Sequence, residues 1–114
     1  MPLTGRVAIV TGGAGYIGST TARRLASDGA TVVVCDVNIE AAQTVADEIV
    51  AGGANASAAA TDVCSTASIE AMVARTIEHH GHIDILINVA GGSARERAAT
   101  VALSSEDVIR HVLE

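Results

Sequence analysis

Gly13, Gly15 and Gly18 fall at G-x-G-x-x-G spacing within TGGAGYIG, residues 11–18, just after the apolar run Val7-Ala8-Ile9-Val10. Glycines in that pattern, between a strand and a helix, let backbone N–H groups converge at a helix N-terminus. There they and the helix dipole can hold a pyrophosphate. On this reading a side chain at Gly13 or Gly15 would block the phosphates, and one at Gly18 would push the helix off its strand. A second residue supports the same chemistry. Asp36 ends the next apolar run, Thr31-Val32-Val33-Val34-Cys35, and lies 18 residues past Gly18. That is close to the spacing of about 20 expected for an acid that takes the hydroxyls of a ribose. Loop and acid together point to a dinucleotide.

Elements of the right kind surround these residues. A first strand is expected at 7–11 and a helix at 16–28, with Ile17, Thr21 and Leu25 on one face and Gly29 as its stop. The Val-rich strand at 31–36 reads as buried on both faces. Asn38 is a natural N-cap for a second helix, where Ala42, Val45, Ala46 and Ile49 make the apolar stripe and Gly52-Gly53 ends it. A weaker, Ala-rich strand spans 56–61. Ser65 or Thr66 opens a third helix with Ile69, Met72, Val73 and Ile77 inward, ended by Gly81. A fourth strand covers 83–89. After Gly91-Gly92, Ser104-Ser105-Glu106-Asp107 resembles a capping box that starts a fourth helix. Strict β-α alternation forces parallel strands with right-handed crossovers, hence an α/β Rossmann-type αβα fold with strand order 3-2-1-4. All 114 residues read as one domain, incomplete as a Rossmann unit.

Composition narrows the function. With one Tyr and no Phe or Trp, the core must come from Val, Ile, Leu and Ala. The net charge of −6 and scattered basic residues argue against a nucleic-acid surface. No apolar run approaches the roughly 18 residues of a membrane span, and the opening MPLTGR does not read as a signal peptide, so a cytoplasmic location is expected. Cys35 and Cys64 are expected near strand ends as two buried thiols rather than a disulfide. His79, His80 and His82 invite a metal reading, but a helix C-terminus explains two of them, and only Asp84 is at hand as a further ligand. Arg95, Glu96 and Arg97 read as a solvated loop, and Ser93 has no base beside it.

These motifs resemble the short-chain dehydrogenase/reductase family along the whole chain. TGGAGYIG is similar to its cofactor loop and Asp36 to its ribose-binding acid. Asp62-Val63 resembles the pair that lines its adenine pocket. Asn88-Val89-Ala90-Gly91 resembles its N-N-A-G motif. Two departures stand out: Tyr16 occupies a position often held by Gly, and Val89 replaces the second Asn. The resemblance implies that NAD is contacted by Gly12, Gly13, Gly15, Tyr16, Ile17, Gly18, Asp36, Val37, Asp62, Val63, Asn88, Ala90 and Gly91. It further implies hydride transfer between a nicotinamide cofactor and an alcohol or ketone. The family's catalytic Ser and Tyr-x-x-x-Lys would follow the fourth helix, on which the sequence stops. The chain is therefore expected to be a truncated, silent, cofactor-binding half, with a bare fourth strand that favours a homodimer. A non-catalytic nucleotide-binding or interaction module is the alternative. An S-adenosylmethionine methyltransferase is a further one, which Thr11-Gly12 and the N-V-A-G motif oppose.

Overall fold

A computed structural model describes residues 1–89. The readings placed on Ala90, Gly91, Ser93, the 95–97 loop and the fourth helix lie outside those residues. The described elements are β1 (Val7–Thr11), α1 (Tyr16–Ser27), β2 (Thr31–Asp36), α2 (Ile39–Ala51), β3 (Asn55–Ala60), α3 (Thr66–His80) and β4 (Ile85–Asn88). All strand pairs are parallel and the sheet order is β3-β2-β1-β4, as the alternation requires.

Side-chain alternation along the two central strands divides the core into two layers. Ala8, Val10, Val32 and Val34 point to one face, where α1 and α2 cover them through Ala22, Ala26, Ala42, Val45, Ala46 and Ile49. Ile9, Val33 and Cys35 point to the other, against Ile69, Met72 and Val73 of α3. The fold is a three-layer αβα sandwich of Rossmann type. With no large aromatic to fill space, close approach of small and branched side chains makes the packing.

The helix boundaries follow their local chemistry. Asn38 Oδ1 accepts from the Ala41 N–H at 3.1 Å and caps α2. Ser65 Oγ does the same for the Ser68 N–H at 3.2 Å in α3. Gly81, at φ +86°, closes α3 in the left-handed region, where a side chain would be strained.

Three expectations need correction. The buried face of α1 is Gly18, Ala22 and Ala26, whereas Ile17 is 65% exposed. The helix sits so close to the sheet that only small residues fit beneath it, and Leu25 packs at the margin. Cys64 is exposed, because β3 ends at Ala60 and the chain makes a surface turn in which the Cys64 N–H donates to Asp62 Oδ1 at 2.9 Å. Strand β4 is shorter than expected, running only from Ile85 to Asn88.

Before β4, Asp84 ties the lower end of the sheet together. Its Oδ2 accepts from the Val7 N–H at 2.8 Å, while Arg6 and His82 lie 3.4 and 3.0 Å from its carboxylate. The Val7 hydrogen bond first, then the neighbouring His82 and Arg6, hold the Asp84 pKa below its ordinary value of 3.8. A depressed carboxylate pKa contributes stability above the unfolded-state value and loses it as pH falls through the folded one. Asp84→Asn should therefore be less stable than the parent at pH 6, with a gap that narrows as pH drops below 3.8. Urea unfolding along a pH series measures this, and a pH-independent gap would contradict it.

Candidate functional site

Parallel strands carry their C-terminal ends to one edge of the sheet, so Thr11, Asp36 and Asn88, and the turn after β3, all come to that side. Register pairs Thr11 with Cys35 and with Asn88, and Asp36 with Ala60. The chain crosses over between β3 and β4, so β1 and β4 flank the point where strand order reverses. Open α/β sheets bind ligands in the crevice at that point.

The glycine loop bridges β1 and α1, and each glycine has its own task. Gly12 adopts φ +64°, and any Cβ there would also run into the Val89 carbonyl oxygen. At Gly13 a Cβ would meet Val34 Cγ1 at 2.7 Å and the Val10 carbonyl at 3.0 Å. Gly13 thus packs against the sheet, which corrects the expectation that it faces the phosphates. A Cβ at Gly18 would overlap the Gly12 carbonyl, in keeping with the need for close helix-to-loop packing. Gly15 differs: its nearest neighbour would be the Gly12 oxygen at 3.6 Å, and the residue is exposed. Gly15 alone leaves open space where a phosphate would approach.

The loop's N–H groups divide in the same way. The Gly13 N–H donates to the Cys35 carbonyl at 2.9 Å and the Ala14 N–H to Asp36 Oδ2 at 3.1 Å, so both are drawn to β2. The Gly15 N–H reaches the Gly12 carbonyl at 3.3 Å. Tyr16, Ile17 and Gly18 have no acceptor for their N–H groups among the described residues. Gly15, the N-cap of α1, makes no side-chain cap, and the first turn holds no acid. In α2 and α3 a side-chain cap takes one of the first-turn donors, Ala41 and Ser68 respectively, whereas α1 has no side-chain cap at all.

Around this cradle lie the other expected residues. Asp36 Oδ1 also accepts from the Asn38 N–H at 3.1 Å. Val37 is 69% exposed beside Asp36, and Tyr16 is 87% exposed at the start of α1. Asp62 is exposed and Val63 half-buried in the turn after β3, where the Asp62 N–H donates to Ser68 Oγ at 2.9 Å. Thr11 Oγ1 donates to Asn88 Oδ1 across the β1–β4 pair, which leaves the buried Asn88 Nδ2 without an acceptor among the described residues. Cys35 is no nucleophile: burial pushes its pKa up to about 12. Sequence reasoning missed Ala14, whose role is purely backbone and carries no side-chain signal.

The short chain dehydrogenase family model matches residues 6–114, and the chain belongs to that family. A hydroxy(phenyl)methylsuccinyl-CoA dehydrogenase subunit of Thauera aromatica is 40% identical over 106 residues, which cover 93% of this chain and 42% of the relative. Among solved structures, a metagenomic short-chain oxidoreductase in complex with NADP is similar with a TM-score of 0.81 at 31% identity, over 98% of this chain and 56% of that one. A putative D-mannonate oxidoreductase from Haemophilus influenza with bound NAD gives 0.76 at 37% identity, over 80% and 32%. The chain thus spans less than half the length of that curated relative and little more than half of the NADP-bound structure. Among the described residues no helix is long and apolar enough to cross a membrane.

Proposed function

We propose that these residues form the cofactor-binding part of an NAD-dependent short-chain oxidoreductase acting on an alcohol or ketone in the cytoplasm. The observation that carries this reading is the uncapped N-terminus of α1, with the Tyr16, Ile17 and Gly18 N–H groups free beside the open face of Gly15. Those donors would hold the pyrophosphate. Asp36 would accept from the ribose hydroxyls, Asp62 and Val63 would border the adenine, and Asn88 would donate from the β4 end. Gly12, Gly13 and Gly18 shape the loop, while Ile17 and Val37 offer apolar flanks. Ala90 and Gly91 follow from the motif. Bound NAD would supply the hydride acceptor, and the protein would supply binding and orientation.

NAD is preferred to NADP in this reading because the Asp36 carboxylate repels a 2′-phosphate. The loop carries no Arg or Lys between Thr11 and Gly18 to offset that repulsion. Calorimetry should find NADH bound more tightly than NADPH, and the reverse order would refute the assignment.

The 114-residue chain is also proposed to self-associate as a two-fold dimer. All four β4 residues are only half-buried, and their outer edge has no partner strand among the described residues. An open apolar edge invites pairing with another chain. Light scattering at micromolar concentration should give a dimer mass, and a monodisperse monomer would contradict it.

A further inference from the structure

This inference rests on the cofactor reading above and concerns what Asp36 does before any cofactor arrives. Asp36 is not an idle acid at the end of a strand. One oxygen accepts from the Ala14 N–H inside the glycine loop at 3.1 Å, and the other from the Asn38 N–H at 3.1 Å, at the entry to α2. The neighbouring Gly13 N–H is bound to the Cys35 carbonyl at 2.9 Å, so two successive loop amides are tied to β2. Only the Ala14 tie depends on a side chain.

We propose that Asp36 is a positioning residue for the glycine loop and that it excludes a 2′-phosphate by occupying two backbone donors as well as by its charge. Ala14 and Asn38 are the backbone N–H groups beside the ribose acid, and the Asn38 N–H sits at the N-terminus of α2, where the helix dipole favours an anion. While the carboxylate is present both donors are taken. When it is removed, both become available, and they form the receptor for a 2′-phosphate although no basic side chain has been added. Cofactor choice is then set partly by which acceptor satisfies the loop's own amides.

Two-dimensional amide spectroscopy on the intact 114-residue chain tests this without any assay of turnover. In the parent the Ala14 amide should exchange slowly with solvent. In Asp36→Ala it should exchange about tenfold faster or more, as expected on losing a charged acceptor, while β1 and β2 amides stay protected and report an intact fold. Titrating NADP+ into Asp36→Ala should then shift and re-protect the Ala14 and Asn38 amides, with NADP+ binding about tenfold tighter than to the parent. Unchanged Ala14 exchange in the variant overturns the tether. NADP+ binding that leaves both amides unmoved overturns the receptor and reduces Asp36 to a point charge. Absence of NAD+ binding to the parent would instead sink the cofactor reading, and the exchange measurement would still judge the tether by itself.

Discussion

Replacing Gly18 by Ala should unfold or severely destabilise the chain, whereas Gly15→Ala should leave the fold in place and abolish tight dinucleotide binding. Gly18 is buried, and a methyl group there would strike the Gly12 carbonyl oxygen and the Gly13 Cα. Those are backbone atoms at the base of a tight loop, and they cannot turn aside as a flexible side chain would. Overpacking of this kind costs about 3 kcal/mol at the upper end of its usual range. That is a large share of the total stability of a domain this small. Gly15, by contrast, has φ −76° and an open side, so Ala is tolerated at a cost of about 1 kcal/mol for the poorer N-cap. Its methyl group would fill the open space at Gly15, where the pyrophosphate is proposed to approach. Urea unfolding and calorimetric titration with NADH on both variants separate the two roles. Equal stability losses, or normal NADH binding by Gly15→Ala, would contradict the division of labour within the loop.

The purified 114-residue chain should show no turnover of NADH with a broad panel of ketones. Its sequence contains one Tyr, Tyr16, and no Lys at all, so a Tyr-x-x-x-Lys pair cannot be drawn from it. Tyr16 stands 87% exposed at the start of α1. Thr20 stands four residues on, where the motif would need a Lys. General acid–base help of the missing kind is worth roughly 10²–10⁴ in rate. Stopped-flow absorbance of NADH with the freed chain is the direct assay, and activity that co-purifies with the chain through several columns would overturn the expectation.

The sheet, and the placing of the glycine loop and Asp36 at its C-terminal edge, were legible in the sequence because their signals are carried by side chains in series. The Val run of β2 announced a strand buried on both faces, and Ala42, Val45, Ala46 and Ile49 gave the inward stripe of α2 residue for residue. Helix α1 misled because hydrophobicity pointed to Ile17 and Leu25, while the packing is governed by the nearness of the sheet, which admits only Gly18, Ala22 and Ala26. The β3 end misled for a related reason. Cys64 looked like a core residue by type, but the Asp62 turn carries it out to solvent. Within the loop, glycine spacing located the strand-to-helix turn yet could not say which glycine packs on the sheet and which stands open. That depends on the positions of Val10 in β1, Val34 in β2 and Val89 just past β4. The Ala14–Asp36 hydrogen bond was invisible because its donor is main chain.

The central claim is that the α1 N-terminus, the open face of Gly15 and Asp36 together bind NAD. Thermal unfolding of the 114-residue chain with and without NADH tests it most directly. Ligand at about 100 times its dissociation constant adds about 2.7 kcal/mol. For a domain of this size the midpoint should rise by about 10 °C or more, and the Gly15→Ala chain should show little shift. A cooperative transition that does not move with millimolar NADH or NADPH would contradict the account.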